Sequence, residues 1–453
     1  MNKRTLVILT VSALLLCIPH IFLPPSGLSE SGWKALFVFA VTVLWWISGV
    51  VPVAVTSIFA MILLPLFGIL PLRKALSFFG NSATFFILGV FILISAFNRS
   101  GLSTRIALKI LRKLGKDPTR LALGLYFITM FLSFWMVAYA VVAMIFPIVL
   151  RILDNCKENN GYSKALLMAL LWGAVTGGSA TLLGGARSPL AVAMLEEFTG
   201  RSISFLKWFL CTLPVVAVLS LIGAFMLILL TCRHRVDLAL VERQLESNLR
   251  DLGPMSNREK LIGLVMMGAV VSWMVFGAAV GIATVTITAV VIMFLLGLSD
   301  WKEVEEDVNW GVVFMYGGAI ALGYALNSTG LSKWLVTTFF TGISSPMLIL
   351  LTIVLVTLIL TELMSNSAVV AFTLPVIITL HGVSNLPPEV LTLAVVVPSG
   401  MAMMLPMSTP TVAIVLSSGM IETKDTVRYG AVMILCGAIV TWLAATFYWP
   451  RIF

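Results

Sequence analysis

Apolar runs of about 20 residues recur along almost the whole chain, and that is the length of helix needed to cross the hydrocarbon core of a bilayer. Inside lipid every backbone N–H and C=O must find its partner within the protein, so uninterrupted runs of this length are read as helices. They fall at 6–23, 33–50, 51–70, 78–97, 165–195, 205–230, 261–280, 283–298, 308–326, 390–420 and 429–448. With 60% of its 453 residues apolar and 11% charged, the chain reads as an all-α integral membrane protein of about 11 transmembrane helices. Two further apolar stretches, 121–153 and 347–380, are too long for one crossing and too short for two. Re-entrant helical hairpins fit them, since irregular backbone at membrane depth must be buried in protein or line a wet cavity.

On this topology most of the 29 lysines and arginines gather on one side. They include Arg99, Arg105, Lys109, Arg112, Lys113, Lys116, Arg120, Arg151, Lys157, Lys164, Arg233, Arg235, Arg250 and Arg258, against a few such as Lys34, Arg73, Arg201 and Lys333 on the other. The positive-inside rule then places the N-terminus in the cytoplasm and the C-terminus outside, in the cell's inner (plasma) membrane. The net charge of +9 therefore reports orientation and not nucleic-acid binding. Met1-Asn2-Lys3-Arg4 and the following apolar run resemble a signal peptide, but Pro19, Pro24 and Pro25 replace a small-residue cleavage site, so an uncleaved helix is expected. Cys17, Cys156, Cys211, Cys232 and Cys436 are scattered, as are His20, His234 and His381, with no metal-ligand spacing and no disulfide framework. No Gly-x-Ser-x-Gly, His dyad or paired intramembrane aspartate suggests an enzyme.

The only long polar stretch, 232–260, reads as a cytoplasmic linker between an N-terminal half (1–231) and a C-terminal half (261–453). After the first helix each half has the same order: three spans, a short amphipathic helix, a hairpin, an interrupted span and a final span. The amphipathic helix after Gly101 sets Arg105, Lys109, Arg112 and Lys113 on one side and Ile106, Ile110, Leu111 and Leu114 on the other, as an interfacial helix does. Gly330-Leu331-Ser332 echoes Gly101-Leu102-Ser103. The hairpins are unequal twins. Ser133-Phe134-Trp135-Met136-Val137-Ala138-Tyr139-Ala140-Val141-Val142-Ala143 with Pro147 matches Thr361-Glu362-Leu363-Met364-Ser365-Asn366-Ser367-Ala368-Val369-Val370-Ala371 with Pro375. Ser-Asn-Ser in one is Val-Ala-Tyr in the other.

An odd number of spans per half inverts the second half relative to the first. Inverted repeats with broken helices meeting at the midplane are an architecture of secondary transporters. The breaks are expected at 176–189, where Gly177, Gly178, Gly184, Gly185, Arg187, Ser188 and Pro189 cluster, and at 398–411, around Pro398, Gly400, Pro406 and Pro410. Opened helices free carbonyls for a cation and expose helix N-termini to an anion.

With these motifs the chain resembles the divalent-anion/sodium symporters, whose hallmark is Ser-Asn-Thr at the tip of each of two hairpins. Thr361 to Ser367 resembles the second hairpin. Gly177-Gly178-Ser179-Ala180-Thr181-Leu182-Leu183-Gly184 and Ser408-Thr409-Pro410-Thr411-Val412-Ala413-Ile414 resemble the family's two broken-helix motifs, with Ser188 and Val412 where the family has asparagine. The resemblance implies elevator-type transport of a small di- or polyvalent anion such as succinate, malate, citrate or sulfate. It implies sodium as coupling ion and no other cofactor, with the lipid bilayer and a second copy, as homodimer, for partners.

It further implies a sodium site from Thr361, Ser365, Asn366, Ser408 and Thr409, and substrate contacts from Ser365, Asn366, Ser367, Thr409 and Pro410. In the first half Ser133 and Gly178 are what remains of a degraded sodium site, since Val137 and Ala138 offer no side-chain oxygen. Tyr139 and Ser188 are further candidates for the substrate. Arg187 stands where the family has proline, alone among the cations at membrane depth. Its guanidinium is expected to replace a missing sodium or to grip a carboxylate, or else to pair with Glu362. Glu362 is expected to be structural. Sodium coupling is then reduced or replaced by anion exchange. The competing readings are an arsenite or sodium/proton antiporter of the same architecture, and a non-transporting membrane scaffold.

Overall fold

The computed structural model describes residues 3–115, 117–154, 160–232, 234, 238–339 and 345–453. Met1, Asn2, Lys116, Cys156, Lys157, Arg233 and Arg235, named above, lie outside the described residues. Every regular element among those described is helical, as the apolar runs require. Among the described residues, eight helices are long and apolar enough to cross a membrane: Lys3–Ile21, Glu30–Ser48, Ser82–Arg99, Phe205–Thr231, Trp310–Ser328, Pro346–Leu363, Asn366–Ser384 and Thr423–Arg451. Val53–Leu66, Pro118–Leu132, Ile282–Leu295 and Pro388–Ser399 are shorter apolar helices. Both arms of the second hairpin thus have crossing length, so the argument that 347–380 is too short for two spans fails. Re-entry there has to rest on the chemistry of the turn.

The helices sort into two packed groups. Glu30–Ser48, Val53–Leu66, Ser82–Arg99, Asn257–Val275, Ile282–Leu295 and Trp310–Ser328 pack on one another. The second group holds the hairpins and broken helices, flanked by Phe205–Thr231 and Thr423–Leu443. The first hairpin is Pro118–Leu132 and Ala138–Asp154; the second is Pro346–Leu363 and Asn366–Ile377. The broken helices are Asn160–Gly177 with Arg187–Thr199, and Pro388–Ser399 with Pro410–Leu416. Ala138–Asp154 packs on Pro410–Leu416, and Asn366–Ile377 packs on Arg187–Thr199. Each inner hairpin arm therefore meets the outer piece of the other half's broken helix, a reciprocal arrangement that draws the four turns toward one centre.

Burial separates the groups' roles. Asn160–Gly177 is buried almost along its length, whereas Phe205–Thr231 shows Leu206, Leu210, Val218, Leu221 and Phe225 on its outer face. In a membrane that face meets acyl chains at no desolvation cost. The repeat is visible locally too. Gly101 and Gly330 hold φ of 81° and 78°, a conformation that suits glycine, directly before the helices Leu102–Leu114 and Leu331–Phe339.

One sequence expectation is corrected here. Arg105 does not share an exposed face with Lys109, Arg112 and Lys113. It is buried, its Nε 2.6 Å from Glu259 Oε1, and it also donates to the carbonyls of Leu252, Gly253 and Pro254. The linker covers that side of the amphipathic helix, which periodicity cannot reveal.

Candidate functional site

Both broken helices open where glycine and proline cluster. In the first the helix stops at Gly177 and resumes at Arg187; in the second it stops at Ser399 and resumes at Pro410. Glycine is needed at the first break because backbones touch: a Cβ on Gly184 would lie 2.6 Å from the carbonyl oxygens of both Gly178 and Ser133. The opened carbonyls are met by hydroxyls. Thr181 donates to Phe134 O, Thr212 to Ala180 O at 2.8 Å, and Tyr316 to Ala186 O. In the second break Thr426 donates to Met404 O at 2.7 Å and Ser408 to Leu405 O at 2.6 Å.

The second hairpin holds its break through Glu362. The buried carboxylate accepts the backbone N–H groups of Met403 at 2.8 Å, Met404 at 3.1 Å and Leu405 at 2.9 Å. Hydrogen bonds to a charged group contribute about 1.5–3 kcal/mol each, so this one side chain largely defines the shape of the opened segment. Glu362 does not pair with Arg187, which corrects that expectation. One residue earlier, Thr361 Oγ1 lies 2.5 Å from Ser399 O and 2.9 Å from Asn366 Oδ1. A hydroxyl has one proton, so it satisfies only one of these oxygens, and the other keeps its lone pair turned toward the same spot. Three neutral oxygens from three elements converge there, a ligand type that suits a hard cation.

Of the remaining candidates in this half, Ser365 and Pro410 are exposed, and Asn366, Ser367 and Thr409 half-buried. Ser408 is buried and spends its proton within its own loop. Thr409 caps Pro410–Leu416 by accepting from Val412 N. No side chain caps Asn366–Ile377, so its first N–H groups and positive dipole end are free for an anion.

The first half is built differently. Arg187 is 5% exposed, and no carboxylate among the described residues pairs with its guanidinium. Its Nη2 donates to Gly178 O at 3.1 Å and Ser179 Oγ at 2.9 Å, and its Nε to Val396 O at 3.3 Å. The guanidinium thus spans both broken helices, held by two carbonyls and a hydroxyl. Glycines make its room: a Cβ on Gly400 would lie 1.9 Å from Nη2, and one on Gly185 2.4 Å from Nη1. Arg187 is also the first residue of its helix, where the dipole disfavours a cation. Burying a cation in the membrane costs several kcal/mol, and three hydrogen bonds offset only part of that. Nη1 keeps two N–H donors with no partner among the described residues.

Ser133 and Ser188 are fully buried with no partner for Oγ. Ser188 is therefore closed to a ligand in this conformation. Val137, Tyr139 and Ala140 instead line an open cavity of about 370 Å³ with Ser95, Asn98, Arg99 and Asp307, a volume within the usual range for small-molecule sites. Sequence reasoning missed this wall. Arg99 ends an apolar run and gives no signal beyond a snorkelling cation, yet it holds Asp307 at 2.6 Å and Glu306 at 2.8 Å. Ser95 also donates to Asp307, at 2.6 Å. Arg99 pushes the Asp307 carboxyl below its ordinary range, and Ser95 reinforces this against the opposing effect of burial.

Comparison with known proteins agrees with this architecture. The family model described as the sodium:sulfate symporter transmembrane region matches residues 2–453. The chain is similar to the sodium-dependent dicarboxylate transporter SdcS of Staphylococcus saprophyticus, 31% identical over 85% of this chain and 80% of the relative. Its similarity to SdcS of Staphylococcus aureus is 30% over 82% and 77%. Among solved structures it resembles the Alcanivorax borkumensis YdaH transporter, with a TM-score of 0.55 at 14% identity over 99% of both chains. It also resembles Neisseria gonorrhoeae MtrF, with a TM-score of 0.60 at 12% identity over 98% and 95%. At that identity the structural likeness speaks for the fold alone. The protein is a multi-pass membrane transporter and not an enzyme, and it belongs to the sodium:sulfate symporter transmembrane family.

Proposed function

We propose that this protein is a secondary active transporter of small di- or tricarboxylates in which the Arg187 guanidinium occupies the place of one coupling sodium. The observation that carries the proposal is the 3.1 Å hydrogen bond from Nη2 to the carbonyl of Gly178, a residue that family resemblance assigns to the first sodium site. A tethered cation supplies the positive charge there but cannot dissociate with the substrate, so that site no longer couples transport to an ion gradient. Thr361, Asn366 and the Ser399 carbonyl, with Ser365, Ser408 and Thr409 nearby in sequence, form the remaining candidate sodium site. Coupling is then to fewer sodium ions than in relatives with two intact hairpin motifs, or to a counter-anion.

The substrate class is supported by the relatives, which are named sodium-dependent dicarboxylate transporters. The unpartnered N–H donors of Nη1 suit a charge-assisted hydrogen bond to a carboxylate oxygen, and the uncapped start of Asn366–Ile377 suits a second carboxylate. Ser367, Pro410 and Tyr139 would border the bound anion. Alternating access of the elevator type follows if the hairpins and broken helices move as a unit against the other packed group. The hairpins enter from opposite sides as re-entrant pairs, a reading supported by their polar, irregular turns. The charge bias supports a cytoplasmic N-terminus and an outer C-terminus, and family resemblance supports a homodimer.

Proteoliposome uptake of labelled succinate, malate, citrate, sulfate and phosphate, with and without internal anion, tests the reading. Uptake of a dicarboxylate or tricarboxylate, stimulated by internal anion or modestly by sodium, is expected. Failure to take up any carboxylate overturns it.

A further inference from the structure

The amphipathic helix Leu102–Leu114 and the first hairpin arm Pro118–Leu132 enclose a groove of about 250 Å³ whose lining includes none of the candidate substrate or sodium residues. Its walls are Ile110, Leu114, Leu123, Phe127 and Phe131, with Arg120 at one end. The groove is open: Ile110 is 36% exposed, Phe127 40% and Phe131 45%. Gly124 lets the two helices close at its floor, where a Cβ would come within 2.7 Å of Leu114 Cδ1. Arg120, Phe127 and Phe131 lie on one stripe of the hairpin arm. From Arg120 to Phe131 that stripe rises about 16 Å, close to one leaflet of a hydrocarbon core about 30 Å thick.

The charge at the Arg120 end has no protein answer. Lys109, Arg112, Lys113 and Arg120 are exposed and make no ion pair among the described residues. Asp117 is the only carboxylate between Gly101 and Arg151, and its Oδ1 accepts the backbone N–H of Arg120 at 2.8 Å. Arg105 of the same helix, by contrast, is fully paired with Glu259. An apolar groove one leaflet deep, capped by unpaired cations, complements one kind of molecule.

We propose that this groove binds an anionic phospholipid, its acyl chain against Phe127 and Phe131 and its phosphate against Arg120 and Lys113. Basic clusters at the cytoplasmic ends of membrane helices attract such headgroups, and the apolar walls supply what a free phosphate could not use. The lipid would bridge the amphipathic helix and the hairpin arm, so it is placed to affect their relative motion.

Native mass spectrometry of the purified full chain, titrated with phosphatidylglycerol or phosphatidylcholine of identical acyl chains, tests this. Preferential retention of phosphatidylglycerol is expected, and inorganic phosphate should not displace it. The exposed-site variant Lys113→Gln/Arg120→Gln should lose the preference, while Arg250→Gln, which removes an exposed cation elsewhere, should keep it. Leu123→Trp, which fills the groove and keeps the charges, should reduce retention of both lipids. Equal retention of the two lipids by the unaltered protein, or an unchanged preference in the double variant, overturns the proposal.

Discussion

Replacing Glu362 with glutamine isolates the contribution of a single carboxylate to the second opened helix. The carboxylate accepts from Met403 and Met404 through Oε1, and from Met404 and Leu405 through Oε2. Glutamine keeps one acceptor and turns an NH₂ toward the other side. In its better orientation it still faces Met403 and Met404, but sets a donor against the Leu405 N–H. One charge-assisted bond is lost, at about 1.5–3 kcal/mol, and a buried N–H left unpaired costs about 1–3 kcal/mol more. The surviving bonds weaken because the acceptor is neutral. A total of about 2.5–6 kcal/mol, concentrated on 400–409, should destabilise that segment while leaving the surrounding helices formed. Thermal unfolding in detergent should shift down, and uptake into proteoliposomes should fall to background at normal membrane insertion. Unchanged melting together with unchanged uptake would refute the reasoning that Glu362 shapes the break.

Four other outcomes rest on the geometry. Gly400→Ala places a methyl 1.9 Å from the present position of Nη2, so it and Arg187→Gln should each abolish uptake, and the double variant should be no worse than either single one. Tyr139→Phe keeps the ring in the 370 Å³ cavity but removes one hydroxyl; a lost hydrogen bond of about 0.5–1.5 kcal/mol should raise KM about two- to tenfold with kcat little changed in initial-rate uptake. Arg105→Met leaves Glu259 buried and unpaired, a loss of about 3–5 kcal/mol, and limited proteolysis should cut the 232–260 linker faster. In the unaltered protein burial opposes ionisation of Glu259, but Arg105 and Ser256 outweigh it and hold its pKa below 4.5. That latch should therefore be intact above about pH 4.5 and weaken as pH falls below it, read by the same proteolysis.

The sequence carried the helical architecture and both breaks because their causes are local. Gly177, Gly178, Pro398 and Gly400 weaken helix locally, and the helices end within two residues of them. It could not carry pairings between distant elements. Arg105 shares its helical face with Lys109 by periodicity, yet the linker returns to cover it. Arg187 and Glu362 were natural partners by charge, yet each found backbone groups of opened helices instead, a choice set by three-dimensional proximity. The cavity wall of Asn98, Arg99 and Asp307 was invisible because each residue alone looks like a helix end at a membrane surface. The asymmetry of the hairpins was legible residue by residue, and the guanidinium seated on the Gly178 carbonyl gives it a physical meaning.

In the proposed function, a tethered cation, Arg187, takes the place of one coupling ion. Counting sodium ions carried per anion, by parallel uptake of labelled sodium and labelled dicarboxylate in proteoliposomes, tests it most directly. At most one sodium per anion is expected, or none with obligatory anion exchange. Two or more sodium ions per anion would contradict it.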